Sequence, residues 1–141
     1  MADLVFNLVK GAVAEIIRDG ANIQICVIDA GATTDATYRD HDTLAAVIAA
    51  STERTANGWA RKTIANGSIT LTVDDTNDRV DADIADQTWT AVTSGASTDL
   101  VVAEDLGGAD SGDRPLTLHD FAITPDGSDV TATVNVFFRA S

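Results

Sequence analysis

The stretch Ser68–Asp74, SITLTVD, alternates Ile69, Leu71 and Val73 with Ser68, Thr70 and Thr72, and the fold turns on that period of two. Successive side chains of a strand point to opposite faces, so the spacing predicts a half-solvated strand with its three aliphatic residues inward. The same period governs most of the chain beyond Asp74. Arg79–Ile84 and Gln87–Val92 are shorter strand candidates, the second centred on Trp89, and Thr98–Glu104 carries Leu100, Val101, Val102 and Ala103 into an acidic turn. Leu116–Thr124 alternates until Phe121 and Ile123 shift the phase, and Asp129–Phe138 sets Val130, Ala132, Val134, Val136 and Phe138 on one face. Between the last two lies Pro125-Asp126-Gly127, a turn in which proline presets φ and glycine accepts a positive one. Strands at roughly 10-residue spacing with Gly, Asp and Asn turns predict a mainly β chain: an antiparallel β-sandwich or jelly roll with one or two short helices.

Upstream of the turn dipeptide Asn57-Gly58 the pattern differs. Leu4, Leu8, Val9, Ala12, Val13 and Ile16 recur at helical spacing, so residues 1–20 read as a short helix or a docking arm ending at Gly20. Asn22–Ala30, NIQICVIDA, is apolar on both faces and predicts a strand buried on both sides. Gly31–Asp42, GATTDATYRDHD, reads as a polar loop. Asp42 or Thr43 then caps a helix predicted over Leu44–Ala50, with Leu44, Val47 and Ile48 on its apolar side. No repeat or linker divides the sequence, so residues 1–141 read as one domain.

Composition bounds the function. A folded chain of 141 residues can build a core without metal or disulfide staples. With 22 Asp and Glu against 9 Lys and Arg, the net charge is −13, and nucleic acid is not an expected partner because phosphate binding needs a basic face. The acid is mostly Asp, lysine occurs only at Lys10 and Lys62, and such a surface suits saline surroundings or simply keeps a crowded protein soluble. The lone Cys26 cannot form an internal disulfide, which fits a reducing cytoplasm as the place of synthesis. No long apolar run or signal-like opening occurs, so neither membrane insertion nor export is expected.

The candidate chemistry is sparse. His41-Asp42 and His119-Asp120 suggest a general base or a metal ligand, but neighbours on a strand face apart, which favours loop or surface roles. Asp74–Asp86 is rich in carboxylates, and Asp75, Asn77 and Asp81 are calcium candidates by spacing. The glycine and distal glutamate of an EF-hand are missing, however, and the segment reads better as a hairpin turn with Asp74 and Arg79 paired. Glu104–Arg114, EDLGGADSGDR, lacks the lysine of a phosphate-binding loop and reads as a flexible surface loop. Trp59 and Trp89 could stack on sugar rings or fill the core, and the low aromatic content favours the core. No cofactor is expected.

Gly58-Trp59-Ala60-Arg61, placed after a polar and helical insertion and before an alternating strand, together with the late turn Pro125–Ser128, resembles small virion proteins of tailed bacteriophages, above all head decoration (cement) proteins. The resemblance implies a β-sandwich without enzymatic activity that binds the outside of a capsid and stabilises the shell. It implies the major capsid protein as partner, a homo-oligomer (a trimer by preference), and location on the virion surface. Leu4, Phe6, Leu8, Val9 and Val13 are the candidate capsid or subunit contacts; the same arm could instead pack on its own sandwich. A phage tail or fibre accessory protein with a receptor- or glycan-binding role is the alternative, and an enzyme the third class.

Overall fold

The doubly apolar run becomes β2 (Asn22–Asp29), in which Ile23 through Ile28 are all buried. In the computed structural model, which describes residues 4–6 and 20–140, β2 lies inside the main sheet. It pairs with β8 (Ser97–Asp105) on one side and with β3 (Thr52–Glu53) and β4 (Lys62–Ile64) on the other. β9 (Arg114–Ile123) follows β8, and β1 (Leu4–Val5) closes that edge. The chain is mainly β, its strand pairs are antiparallel, and the architecture is consistent with a β-sandwich.

Register explains why both faces of β2 are apolar. Ile25 lies opposite Val102 and Val27 opposite Leu100, whereas Cys26 lies opposite Val101 and Gln24 opposite Ala103. The first face is covered by β6 (Arg79–Asp83), β7 (Gln87–Trp89), β10 (Val130–Ala132) and β11 (Phe138–Ala140), which contribute Ala82, Trp89, Ala132 and Phe138 to the core. Against the second pack two short helices, α1 (Asp35–Arg39) on β1 and α2 (Leu44–Ala49) on β3 and β9. The Thr43 side chain accepts from the Ala46 N–H, as expected of a helix cap. No helix among the described residues is long and apolar enough to cross a membrane.

Several expectations need correction. The polar loop contains α1, because Thr34 caps it and Tyr38 drops a fully buried ring into the core. The Asp129–Phe138 strand is broken: pairing stops after Ala132 and resumes at Phe138, and the Val134 N–H donates instead to Asp86 Oδ1 at 2.9 Å. The phase shift at Phe121 is a bulge, since Ser97 opposes Ile123 while Asp99 opposes Asp120. A second irregularity, at Val102/Ala103, leaves Leu116 extra on β9 beside Pro115, where a proline can lose its ladder hydrogen bond.

The largest departure concerns the opening stretch. It forms β5 (Thr70–Asp74) as expected, but β5 is the outer strand of a three-stranded sheet ordered β11-β6-β5. Leu71 is 42% exposed and Val73 67% exposed. Alternation assigns these residues to one face correctly, the face on which Ala82 and Phe138 enter the core, yet at the outer strand Leu71 and Val73 lie beyond that cover. Of the N-terminal segment, Leu4–Val5 pairs with β9, and Phe6 is fully buried with its N–H donating to Leu116 O at 3.3 Å. Phe6 is thus part of this chain's own core and cannot serve as an outward contact; Leu8, Val9 and Val13 lie outside the described residues.

Candidate functional site

The four residues Gly58–Arg61 join the two layers. Asn57 and Gly58 both have positive φ, at 60° and 96°, and a Cβ on Gly58 would lie 2.8 Å from Val92 Cα. Glycine is required there by space as well as by conformation. Trp59 is 3% exposed and donates through Nε1 to Gly95 O at 2.7 Å, while Ala60 O accepts from Trp89 Nε1 at 2.7 Å. The rings of Trp59, Trp89 and Phe121 meet at 5.5 to 6.3 Å between centroids, two of the three pairs edge to face. Both tryptophans are core residues, and neither has a face free to stack on a sugar.

Arg61 anchors the other end of the motif. Its guanidinium spans Asp110, with Nη1 and Nη2 each 2.6 Å from a carboxylate oxygen, and Glu53, bonded through Nε and, at 2.9 Å, Nη2. Nη1 also donates to Gln24 Oε1 at 3.2 Å. The two carboxylates hold Arg61 further into its charged form, and the same contact draws the Asp110 carboxyl below its usual range. Gln24 in turn donates to buried Asp113 at 2.5 Å.

This network corrects the expectation of a flexible loop at Glu104–Arg114. Asp113 O accepts from Leu44 N at 2.9 Å and Asp110 O from Ala45 N at 3.1 Å, so the loop supplies partners to the first amides of α2. Arg114 donates to Glu104, whose side chain is fully buried, from Nε at 2.7 Å. Cys26 lies beside the network with its thiol pushed up to about 12, chiefly by burial, and such a thiol is inert. Arg61, Gln24, Glu53, Asp110 and Asp113 bond to one another, whereas Glu104 keeps one buried oxygen, Oε1, without a hydrogen bond, and the network is suited to holding segments in register.

The other candidates are dispersed. Asp75–Asp78 forms the expected hairpin turn between β5 and β6, with Arg79 Nε 3.0 Å from Asp74 Oδ2. Of the calcium candidates, Asp75 is exposed, Asn77 donates its amide to Asp74 at 2.7 Å, and Asp81 accepts from Arg139 Nε at 2.6 Å. Hydrogen bonds from Asn77 to Asp74 and from Arg139 to Asp81 hold those carboxyls below their ordinary range, and such commitments compete with a cation. His119 lines the cleft between the layers, its Nε2 2.9 Å from Thr117 Oγ1, while His41 stands edge-on to Tyr38 at 6.1 Å. The described residues contain no group of three His, Cys, Asp or Glu side chains placed to hold a metal ion.

Two features had no signal in the sequence. Asp99, fully buried on β8, accepts from Thr98 Oγ1 at 2.5 Å, and burial raises its carboxyl above the usual range, helped by Asp120 and Asp35 and opposed by that hydroxyl. The cleft between the layers, about 460 Å³, is lined by Ile25, Leu100, Val102, Phe121, Val134 and Phe137 with His119 at its side. Comparison with protein-family models, curated proteins and solved structures finds no match in any of the three.

Proposed function

We propose that the chain is a structural virion protein that binds the outside of a bacteriophage capsid as an oligomer and stabilises the shell, with the major capsid protein as its partner. The observation that carries this reading is the use of Gly58, Trp59, Ala60 and Arg61 as a built joint. Glycine fits where a Cβ would clash, tryptophan and the Ala60 carbonyl tie the layers, and arginine locks Glu53 and Asp110. A shell component has to be stiff and has to offer surface to neighbours, and the polar network and the exposed Leu71 and Val73 of edge strand β5 suit those two needs. The acidic exterior limits adhesion to DNA and between particles. Repetition over a symmetric shell lets a modest contact per copy add up.

The test is co-sedimentation of the purified chain with empty shells assembled from the major capsid protein of the same genome. Saturable binding and a raised shell disruption temperature are the expected outcome. Absence of the chain from pelleted shells at every concentration sinks the proposal.

A further inference from the structure

We infer that two copies of this chain associate through the free edge of β5, each β5 pairing antiparallel with the other about a two-fold axis near Thr72. The edge is open: β5 ends its sheet, with β6 on one side and no strand among the described residues on the other. Natural edges are usually blunted by charge, proline or a bulge, because unpaired amides and carbonyls recruit another strand. Here Ser68–Val73 contains no charge and no proline, in a chain carrying −13.

The strand is complementary to itself. Antiparallel pairing centred on Thr72 sets Leu71 opposite Val73 of the second copy, Val73 opposite its Leu71, and Thr70 opposite its Asp74. Leu71 and Val73 share a face with Ala82, which is buried in the core, and with half-buried Val80 and Ala140, so the exposed pair extends the core side of this sheet past its cover. In the pair, four exposed aliphatic side chains would cover one another and a three-stranded sheet would become six-stranded. On the opposite face Thr70 meets a carboxylate with a hydroxyl donor.

Charge along the strand does not bar a second copy despite the overall repulsion. The two Asp74 side chains would stand four residues apart along the ribbon, about 14 Å at ~3.4 Å per residue, beyond a Debye length of ~8 Å at physiological salt. Each Asp74 already has Arg79 at 3.0 Å. The contact is isologous, so it closes at two copies and makes the oligomer even-numbered, in place of the trimer that the resemblance implies. For its purpose, though not its geometry, this inference rests on the structural virion role proposed for the chain.

Sedimentation velocity over a concentration series should show a species of twice the 14.7 kDa chain mass, and Val73→Lys should return it to one. Val73 is an exposed side chain, so this variant keeps its fold, which circular dichroism checks. Thr72→Cys should form a disulfide-linked dimer on mild oxidation, since facing residues of an antiparallel pair lie ~4.5–5.5 Å apart at Cα, and Ser111→Cys on an exposed loop should not. Buried Cys26 stays silent. A parent that is monomeric throughout, a dimer indifferent to Val73→Lys, or equal crosslinking at both cysteines overturns the inference. Shell binding is scored separately: a dimer that never binds shells defeats the structural role and leaves the β5 contact standing.

Discussion

Arg61 shows how one side chain can hold several segments. Its planar fork meets Asp110 with two parallel bonds and turns its remaining edge to Glu53, which is 11% exposed at the side chain. Lysine presents a point charge and cannot reproduce that geometry. Arg61→Lys should therefore lower the free energy of unfolding by about 1 to 2 kcal/mol and Arg61→Ala by about 2 to 3, less than for a fully buried pair because Arg61 is itself 29% exposed. Urea denaturation measures both, and a lysine variant as stable as the parent would remove the case for the fork. Asp99 works in the opposite sense. Its folded-state value is raised, so the folded chain binds the proton more tightly than the unfolded one. The stability it contributes is full below about pH 3.9, the unfolded value, and is lost as pH rises through the folded value. Asp99→Asn keeps an acceptor for Thr98 and abolishes that loss. It should stabilise the chain at pH 7, with a gap that closes toward pH 4. Denaturation at the two pH values tests this; a destabilised variant at pH 7 would mean that the ionised carboxylate is itself needed.

At the scale of elements, the tight joint before β4 depends on backbone more than on side chains. Gly58→Ala combines a strained φ of 96° with contacts at 2.8 to 2.9 Å to Val92 and the carbonyls of Ala91 and Thr90. A loss of about 2 to 3 kcal/mol is expected, read as a fall in melting temperature, while Gly107→Ala, with open space around it, should cost only its φ. A smaller loss at Gly58 than at Gly107 would contradict the packing account. The reach of the sequence is set by the same division between local and distant causes. β2 was legible because Ile23, Ile25 and Val27 alternate with Cys26 and Ile28 and make both faces apolar, and the Asp74–Arg79 hairpin because its partners are joined by a short turn. α1 was not, since a five-residue helix with one buried ring carries almost no period. In β5 the alternation revealed which residues share a face, but how far the cover over that face reaches depends on β6 and β11 taking the inner positions and β5 the edge. Gly58–Arg61 could be singled out by residue type, whereas the carbonyl of Gly95, the ring of Trp89 and the carboxylate of Asp110 come from remote segments that no local pattern announces.

For the molecule as a whole, the surplus of acid sets a cost that its ion pairs do not cancel. Ion pairs among the described residues use Arg54, Arg61, Arg79, Arg114 and Arg139, against 22 carboxylates in the whole chain. Much of the remainder lies in turns, as at Asp75, Asp78, Asp126 and Asp129, all exposed. Like charges spread over so small a surface repel one another more in the folded state than in the expanded chain. Raising sodium chloride from about 0.02 M to about 0.5 M shortens the Debye length from ~20 Å to ~4 Å and screens that repulsion. The same salt weakens exposed pairs such as Arg139–Asp81, which contribute little, while the more enclosed Arg61 pairs are screened less. The two effects oppose each other, and the excess of 13 negative charges decides the sign. Stability should rise by about 1 to 2 kcal/mol over that range, seen as a higher urea midpoint at unchanged slope. The β5-mediated dimer should tighten over the same range, because its facing strands meet through uncharged residues apart from Asp74, which Arg79 already pairs, and the long-range repulsion between copies is screened. A urea midpoint that falls with salt would mean that the ion pairs outweigh the surplus, and the acidic surface would then have to be read as a set of specific contacts.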